Sequence, residues 1–309
     1  MSTVLVSGCS GFIGQNLLNK LNGKYRIIGI DNFFSSSKNI LDKFEKFENF
    51  RFIEDDISEL SSLNEKIDII INLACPASPP KYMSDPIFTM NTNFKGTQNL
   101  LNIAKDNHSI FIQASTSEIY GDPLVHPQIE TYRGNVNTIG ERSCYDEGKR
   151  IAETLCYEFR KRYKIQTRIL RIFNTYGPGM DKDDGRVISN FMLNTIKGKP
   201  LKIYGNGDQT RSFCYIDDLI SGIIKSMSID FEHPINLGNN NEISLNDLAD
   251  LFINNFGSIS KEYIEALPDD PKVRKPEIIR ASQLLDWQPL TKLEDGLNST
   301  YKYFKSIIK

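Results

Sequence analysis

Short runs of β-branched and other apolar residues alternate with amphipathic stretches over the first 175 residues of the chain. Several of these runs are almost continuous Ile, Val and Leu, which is typical of strands covered on both faces of a parallel sheet. The predicted strands cover residues 4–7, 26–30, 67–73, 109–114 and 167–172, and helical spacing predicts helices over 14–21, 91–106 and 144–163. The alternation predicts an α/β fold with a parallel sheet and right-handed crossovers.

The pattern changes after Gly177-Pro178-Gly179, where Gly and Pro become denser and the elements become shorter. Residues 1–176 are therefore predicted to form one domain and residues 177–309 a smaller lobe. Residues 215–238 contain a helix and then a short strand over 234–237, and we expect this stretch to return to the first domain. The length of 309 residues agrees with two such units, since a domain typically takes about 150 residues.

Composition narrows the class of protein without indicating its chemistry. The chain has 37 Lys and Arg against 39 Asp and Glu, a balance that argues against a nucleic-acid or anionic-membrane surface. No apolar run approaches the roughly 18 residues that a membrane span requires. The N-terminus begins with a strand-like run and predicts no signal peptide. We expect a globular protein without nucleic-acid or membrane partners.

The cysteines and histidines indicate neither a metal centre nor a disulfide framework. The five cysteines are scattered, odd in number and without a Cys-x-x-Cys pair, which favours reduced thiols in the cytoplasm. The three histidines lie far apart, so no zinc site is predicted. The sequence therefore predicts a cytoplasmic protein with no bound metal.

The chain opens with an apolar strand, a glycine triplet and a predicted helix. Glycines spaced as Gly8, Gly11 and Gly14 let the backbone turn tightly and approach a pyrophosphate at the helix N-terminus. The second strand is followed by Asp31, where a carboxylate accepts hydrogen bonds from an adenosine ribose. Because the same carboxylate would repel a 2′-phosphate, we expect NAD rather than NADP.

Tyr145 and Lys149 form a Tyr-x-x-x-Lys pair whose side chains project from one face of a predicted helix. A nearby ammonium lowers the pKa of a phenol and makes it a usable base. The same spacing recurs at Tyr157 and Tyr301, so the pair alone carries little information. Tyr157 lies about 120° around the same helix, and Tyr301 lies in the C-terminal tail. Context favours Tyr145, because it follows the run around Thr116 at the carboxyl end of a strand, the edge that carries ligands in open α/β sheets.

Together these motifs resemble the extended short-chain dehydrogenases/reductases, the NAD-dependent epimerase/dehydratase family that acts on nucleotide sugars. The resemblance covers essentially the whole chain. It implies a Rossmann-type doubly wound sheet that binds NAD over residues 1–176 and a nucleotide-sugar-binding lobe over 177–309. Within the family, several runs are similar to the UDP-glucuronate decarboxylases. These runs span residues 72–82, 114–123, 144–150, 184–191, 209–218 and 269–276.

The resemblance implies oxidation of the sugar at C4. Tyr145, as a phenolate, would remove the proton of the C4 hydroxyl while Thr116 holds that hydroxyl, and a hydride would pass to NAD. The resulting 4-ketone turns a C6 carboxylate into a β-keto acid that loses carbon dioxide. Lys149 would help to stabilise the enolate, as donors aimed at developing charge do. Glu118 would help to deliver a proton to C5.

Contacts with the cofactor and the substrate are implied by the same resemblance. The implied cofactor contacts are Gly8, Gly11, Phe12, Ile13, Gly14, Asp31, Asn32, Asp56, Ile57, Leu73 and Ala74, together with Tyr145 and Lys149. The implied substrate contacts are Pro79, Tyr82, Asn174, Val187, Asn190, Tyr204, Arg211 and Arg274. Asn174 and the two arginines are candidates for the diphosphate or the carboxylate, and Arg274 matches an arginine tied to the carboxylate chemistry. Asp56 matches the position that contacts adenine.

The segment 130–142 departs from the decarboxylase pattern. Arg133, Thr138 and Glu141 stand where these enzymes usually carry Trp, Pro and Pro, and we expect this loop to approach the sugar. Three other outcomes of C4 oxidation therefore stay open, for a UDP-, dTDP- or GDP-sugar: release of the ketone by a 4-oxidase, 4,6-dehydration and 4-epimerisation. A non-catalytic NAD-binding sensor on the same fold is a more remote alternative, opposed by the intact Thr116, Tyr145 and Lys149.

The resemblance also implies a homodimer in which helices 91–106 and 144–163 of two chains form a four-helix interface. Whether such dimers pair into a tetramer stays open, as does the base of the nucleotide.

Overall fold

A fully parallel sheet of seven strands forms the centre of the computed structural model, which describes residues 1–257, 259–266 and 272–308. The strands of this part of the chain are β1 (Thr3–Ser7), β2 (Arg26–Asp31), β3 (Phe50–Glu54), β4 (Ile69–Asn72), β5 (Ile110–Thr116), β6 (Thr167–Ile172), β7 (Thr175–Tyr176), β8 (Leu201–Tyr204), β9 (Thr210–Ser212), β10 (Cys214–Tyr215), β11 (Ile235–Leu237), β12 (Glu242–Ser244) and β13 (Lys261–Ile264). The central sheet has the order β11-β6-β5-β4-β1-β2-β3. The predicted doubly wound α/β fold is confirmed.

Helices cover both faces of this sheet and build the lobe beside it. The helices of the described residues are α1 (Phe12–Leu21), α2 (Pro79–Ser84), α3 (Pro86–Asn91), α4 (Thr97–Asn107), α5 (Ser143–Tyr163), α6 (Val187–Ile196), α7 (Ile216–Ser226), α8 (Leu245–Phe256), α9 (Ile279–Leu285) and α10 (Leu293–Ile307). Short 3₁₀ helices lie at Lys38–Phe44 and Ser117–Tyr120. None of the helices in the described ranges is both long enough and apolar enough to span a membrane.

Alternating side chains of β1 build a separate core on each face of the sheet, since successive residues of a strand point to opposite sides. Val4 and Val6 belong to the core that contains residues of α1 and α7. Leu5 belongs to the core on the other face, which contains residues of α4 and α5. Burial on both faces explains why this strand reads as a continuous apolar run.

The helix predicted over residues 91–106 lies within a longer helical stretch, residues 86–107, that contains a π turn. The structure has α3, then a π turn over Thr92–Gly96, and then α4. Thr92 Oγ1 donates to the carbonyl of Phe88 (2.9 Å) and Asn93 Nδ2 donates to that of Thr89 (2.9 Å). Side chains that bond to carbonyls one turn back disturb the regular helical ladder, and spacing alone does not register this effect.

The edge strand β3 was not among the predicted strands. Its residues are only half buried, so it lacks the continuous apolar signal of the central strands.

Two segments from the second half of the chain pack on the first domain. Strand β11 pairs with β6, and α9 packs against β11 and α7. The lobe has its own core, built from α6, α8, α10 and β8.

Candidate functional site

A cleft of about 610 Å³ lies between the carboxyl ends of the central strands and the smaller lobe. Gly8 follows β1, Leu73 follows β4, Thr116 ends β5, and Asn174 lies just after β6. The order of the sheet reverses between β1 and β4, and ligands of open α/β folds bind at such a switch point. The predicted site residues that line this cleft are Gly8, Gly11, Phe12, Ile13, Gly14, Leu73, Pro79, Tyr82, Thr116, Glu118, Tyr145, Lys149, Asn174, Val187, Asn190, Tyr204, Arg211 and Arg274.

The glycine loop forms one end of the cleft. Gly8 has a φ of +68°, and a Cβ there would lie 2.8 Å from the backbone of Ala74. Gly11 caps α1 without any side-chain hydrogen bond, so the first turn of this helix opens on the cleft with its backbone N–H groups. A Cβ on Gly14 would lie 2.3 Å from the carbonyl oxygen of Gly8. The loop is thus a tight cradle at a helix N-terminus, which fits the pyrophosphate of a dinucleotide.

A smaller pocket of about 60 Å³ continues from the glycine loop. The remaining predicted cofactor residues line it: Asp31, Asn32, Asp56, Ile57 and Ala74. The carboxylate of Asp31 accepts hydrogen bonds from the backbone N–H groups of Ser10 (3.0 Å) and Phe33 (2.9 Å). Asn32 Nδ2 donates to Asp56 Oδ2 at 3.0 Å. These bonds fix two carboxylates at the end where an adenosine would lie.

Tyr145 and Lys149 lie on the buried face of α5, and Thr116 faces them from the end of β5. All three are nearly inaccessible to solvent, at 5%, 4% and 7% exposure. Lys149 Nζ lies 5.8 Å from the centroid of the Tyr145 ring and donates to the carbonyl of Ala114 at 2.9 Å. Tyr157 and Lys161 have almost the same separation, 6.0 Å, but Tyr157 is 52% exposed. Burial, and not the local pair geometry, therefore distinguishes Tyr145.

The pKa of Tyr145 moves in the direction opposite to that expected from a neighbouring ammonium. Burial raises the pKa of Tyr145 well above that of a free phenol, although a hydrogen bond with Thr116 and the charge of Arg186 act in the opposite direction. Lys149 directs its ammonium to the carbonyl of Ala114. With its pKa raised in this way, the phenol is protonated near neutral pH.

Glu118 lies between two arginines. Arg142 Nη2 donates to Glu118 Oε2 at 2.5 Å, and Arg274 Nη1 donates to the other carboxylate oxygen. Burial alone would raise the pKa of Glu118, but the guanidinium groups of Arg274 and Arg142 hold it at about 2. Glu118 is thus ionised, so the role expected for it, helping to deliver a proton to C5, requires that it first take up a proton.

The substrate residues predicted from the sequence lie on different elements of the two units. Pro79 and Tyr82 lie on α2, where the Tyr82 ring stacks on that of Tyr145 with centroids 4.9 Å apart. Val187 and Asn190 lie on α6, and Tyr204 and Arg211 lie on β8 and β9 of the lobe. Burial raises the pKa of Tyr82, and its hydroxyl has no hydrogen-bond partner among the described residues.

Two arginines of the cleft were not predicted as site residues. Arg142 comes shortly before Tyr145, and Arg186 is held by Asp184 with an Arg186 Nε to Asp184 Oδ1 distance of 2.5 Å. Both lie inside segments that the sequence analysis singled out, residues 130–142 and 184–191. From the sequence, only their positions among motif residues could have indicated a role in the site, because their contacts form only when the chain folds.

The departures in segment 130–142 lie away from the cleft. Arg133, Thr138 and Glu141 are all exposed. Among the described residues that line the cleft, this segment supplies Arg142 and none of the three. Part of another predicted run, residues 269–271, lies outside the described residues, whereas Arg274 is described and is 3% exposed.

Comparison with known proteins relates the chain to enzymes of nucleotide sugars. Residues 4–238 match the NAD dependent epimerase/dehydratase family. The chain is 45% identical to UDP-glucuronic acid decarboxylase 1 of Xenopus tropicalis over 306 residues, which cover 98% of this chain and 72% of that protein. It is 47% identical to UDP-glucuronic acid decarboxylase 5 of Arabidopsis thaliana over 299 residues, covering 95% and 86%.

Solved structures are similar as well. One is the UDP-glucuronic acid 4-epimerase of Bacillus cereus, crystallised in complex with UDP-glucuronic acid and NAD. It has a TM-score of 0.87 and 30% identity, and the match covers 99% of this chain and all of that one. A UDP-N-acetylglucosamine 4-epimerase from Methanobrevibacter ruminantium has a TM-score of 0.92 and 26% identity, covering 99% of each chain. The predicted family and the NAD cofactor are thereby confirmed.

Proposed function

Because the chain belongs to the NAD dependent epimerase/dehydratase family, we propose that it converts UDP-glucuronate to UDP-xylose and carbon dioxide by oxidising the sugar at C4. The observation that carries this proposal is the identity of 45% and 47%, over nearly the whole chain, to proteins named UDP-glucuronic acid decarboxylases. The charge in the cleft supports it. Glu118 pairs with both Arg142 and Arg274, and the pKa of the nearby Asp146 carboxyl is raised to about 7. Where Asp146 keeps its proton, the two guanidinium groups face one carboxylate, and a C6 carboxylate would neutralise the remaining positive charge.

Tyr145, Thr116 and Lys149 would carry out the oxidation at C4. Bound NAD supplies a hydride acceptor that later returns the same hydride. Tyr145 lies beside Thr116, so a C4 hydroxyl placed between them could give its proton to the phenol oxygen once that oxygen has lost its own proton. Because burial raises the pKa of this phenol, it needs cations near it to act as a base. The charge of Arg186 already acts to lower this pKa, and Lys149 Nζ lies 5.8 Å from the centre of the ring.

Loss of carbon dioxide follows from the 4-ketone. The C5–C6 bond breaks, its electron pair moves into an enolate on the C4 oxygen, and the carboxyl carbon leaves as carbon dioxide. Donors from Thr116 and Tyr145 beside that oxygen would stabilise the enolate. C5 would then take a proton from water. The C4 carbon would take back the hydride and the C4 oxygen the proton held by Tyr145, which gives the pentose. Arg274 would orient the carboxylate, because an arginine fork fits carboxylate geometry.

The proposed reaction is tested by incubating the purified protein with NAD and UDP-glucuronate. We expect trapped carbon dioxide and a sugar nucleotide lighter by one carbon dioxide in the mass spectrum. Loss of water instead would indicate a dehydratase, an unchanged mass with a new stereochemistry an epimerase, and stoichiometric NADH an oxidase. NAD binding without turnover of any UDP-, dTDP- or GDP-sugar would indicate a sensor.

A pair of variants connects the reaction to the cleft. Arg274→Ala should release far less carbon dioxide than the wild type, while Lys272→Ala, an exposed neighbour in the same segment, should match the wild type. Equal activity of both variants would contradict the assignment of Arg274 to the carboxylate.

We also propose that the chain forms a homodimer through α3, α4 and α5. Light scattering would also show whether such dimers pair into a tetramer. Apolar side chains are exposed on these helices and on the π turn between them: Ile87 (67%), Met90 (47%), Phe94 (42%) and Ile151 (38%). Ile151→Glu should shift the mass in light scattering from dimer to monomer. Leu290→Glu, at an equally apolar exposed position away from these helices (76%), should leave it unchanged. A wild type that is monomeric at micromolar concentration would contradict the proposal.

A cytoplasmic location is a further part of this proposal. The five cysteines are all free thiols in the structure, as expected in a reducing compartment. Fractionation of the source cells, followed by an immunoblot, tests it, and recovery of the protein in any compartment other than the cytoplasm would contradict it.

A further inference from the structure

Arg274 enters the cleft from a short extended segment, residues 272–277, that lies between the first domain and the lobe. Its side chain is 3% exposed, pairs with Glu118 and donates to the carbonyl of Gly121 at 3.3 Å. A guanidinium on a buried side chain can only be placed as accurately as its own backbone. The bonds that hold this segment therefore determine where Arg274 meets a substrate.

Gln128 makes the densest set of these bonds. Its side-chain Oε1 accepts from the backbone N–H of Lys275 at 2.8 Å, and its own backbone N–H donates to the Lys275 carbonyl at 2.8 Å. Its carbonyl accepts from the backbone N–H of Glu277 at 2.9 Å and from Asn236 Nδ2 at 2.9 Å. Its Nε2 donates to the carbonyl of Val125 at 3.0 Å. Gln128 thus joins the loop after β5 to the residues on both sides of Pro276.

The other side of the segment is held by the lobe. The backbone N–H of Ser212 on β9 donates to the carbonyl of Arg274 at 3.2 Å, and that of Thr210 donates to the carbonyl of Lys272 at 3.0 Å. Arg274 therefore lies between one anchor in the lobe and one in the first domain. Replacing the Gln128 side chain removes the bond to the Lys275 N–H, while the backbone bonds of Gln128 to Lys275 and Glu277 remain.

Gln128 itself is fully buried and is not among the described residues that line the cleft. It can affect the reaction only through the residues that it holds. Since Lys275 directly follows Arg274, loss of the Oε1 bond would free the N–H of the peptide that joins the two residues.

We propose that Gln128 is a positioning residue for Arg274 and that it determines how the 4-keto intermediate is divided between decarboxylation and release. This inference rests on the proposed function. Carbon dioxide leaves readily only when the C5–C6 bond stands perpendicular to the plane of the ketone, so that its electron pair can enter the π system. Holding the carboxylate in that orientation is the task assigned to Arg274. A misplacement of about 1 Å can cost about 10²-fold in rate, whereas oxidation at C4 depends on Tyr145 and Thr116.

The experiment compares Gln128→Met, Gln128→Glu and Thr300→Val with the wild type. Methionine has a similar length but no acceptor, and glutamate keeps an oxygen for the Lys275 N–H. Thr300 is a buried hydroxyl in α10, bonded to the carbonyl of Gly296, and serves as the control for a loss of stability without a link to Arg274. Released carbon dioxide, NADH and free 4-keto sugar nucleotide are measured together with the melting temperature.

We expect Gln128→Met to lower carbon dioxide release about 10- to 100-fold, to change C4 oxidation less than about 3-fold and to increase the released ketone. Gln128→Glu should divide the intermediate as the wild type does. If Gln128→Met does not fold, Gln128→Asn, whose amide is too short to reach the Lys275 N–H, should shift the division in the same direction. If Gln128→Met divided the 4-keto intermediate between decarboxylation and release as the wild type or Thr300→Val does, the inference would be overturned. A wild type that releases no carbon dioxide would overturn the proposed function and the inference with it.

Discussion

Tyr145 is one of three tyrosines in the chain that are followed four residues later by a lysine. The lysine ammonium lies 5.8 Å from the ring of Tyr145, 6.0 Å from that of Tyr157 and 5.6 Å from that of Tyr301. These separations are nearly equal because the spacing on a helix fixes them. Only Tyr145 is both buried and placed beside Thr116 in the cleft. The chemistry of the pair is therefore given by its surroundings.

Tyr145→Phe should abolish turnover while NAD binding is retained. The ring keeps its stacking on Tyr82, whereas the proton acceptor is lost, and general acid–base groups contribute about 10²- to 10⁴-fold in rate. Tyr157→Phe is the matched control on the same helix and should retain wild-type activity. Steady-state rates and calorimetric titration with NAD check both variants. Equal losses in the two would contradict the distinction between the buried and the exposed face of α5.

Asp146→Asn should stabilise the protein more at pH 8 than at pH 5. Burial, together with the charge of Glu118, raises the pKa of Asp146 from 3.8 to about 7. The folded state therefore binds this proton more tightly than the unfolded state, so stability falls as the pH rises from about 4 to about 7. Asparagine does not ionise and escapes this loss. Each pKa unit corresponds to about 1.4 kcal/mol, so we expect a difference of roughly 1–4 kcal/mol between the two pH values.

Chemical denaturation of the wild type and of Asp146→Asn at both pH values measures this difference. Comparing the two pH values removes the part of the stability change that does not depend on charge. Changes in hydrogen bonding belong to that part, since Asp146 Oδ1 has no hydrogen-bond partner among the described residues. A stability difference that stays constant with pH would show that this carboxyl does not titrate in this range.

At the scale of elements, the turn between β1 and α1 depends on glycine for two separate reasons. Gly8 has a positive φ, and its Cα also lies against the backbone at Leu73 and Ala74. Gly23, after α1, has a similar φ of +74°, but nothing lies within 4 Å of a Cβ built there. The two positions therefore separate the cost of backbone conformation from the cost of close approach.

Gly8→Ala should lower the free energy of unfolding by about 1–3 kcal/mol more than Gly23→Ala does, because both share the conformational cost and only the first adds overlap. It should also weaken NAD binding, since Gly8 lines both the cleft and the smaller pocket. Urea denaturation and titration with NAD measure the two effects. If both variants lost the same stability and kept the same affinity, the tight approach of Gly8 would have no energetic role.

The sequence predicted elements well where burial alone determines them. Strand β6 has the predicted bounds, Thr167–Ile172, because it is covered on both faces, so that even its two arginines are buried. The π turn between α3 and α4 was missed, since it depends on the hydroxyl of Thr92 and the amide of Asn93, which donate to carbonyls one turn back in the helix. At the site, every predicted residue lines the cleft or the smaller pocket. The ionised state of Glu118 was not predicted, because it requires Arg142 and Arg274 to meet from distant parts of the chain.

For the whole molecule, the predicted domain boundary at residue 177 does not coincide with a boundary between hydrophobic cores. Leu285 and Trp287, close to the C-terminus, belong to the same core as Val4 and Val6 of the first strand. Trp287 Nε1 donates to the carbonyl of Asp218 on α7 at 2.8 Å. The chain thus passes from the first domain to the lobe and back, and Arg274 lies on the last passage between them. An arginine so placed is held by both units.

Leu285→Ala should destabilise the first domain, although it lies within the half of the sequence that contains the lobe. Leu285 is 2% exposed, and removing such a side chain costs about 2–5 kcal/mol. Leu284→Ala, at a neighbouring position that is 42% exposed, is the control and should change stability by less than about 0.5 kcal/mol.

Trp287 is the single tryptophan of the chain, so its fluorescence reports directly on this segment. If the segment is part of the first core, the fluorescence shift and the loss of helical circular dichroism should occur at the same urea concentration, and both should move together in Leu285→Ala. A fluorescence change that precedes the circular dichroism change would mean that the segment detaches alone, and Arg274 would then be held by the lobe without the support that its position requires.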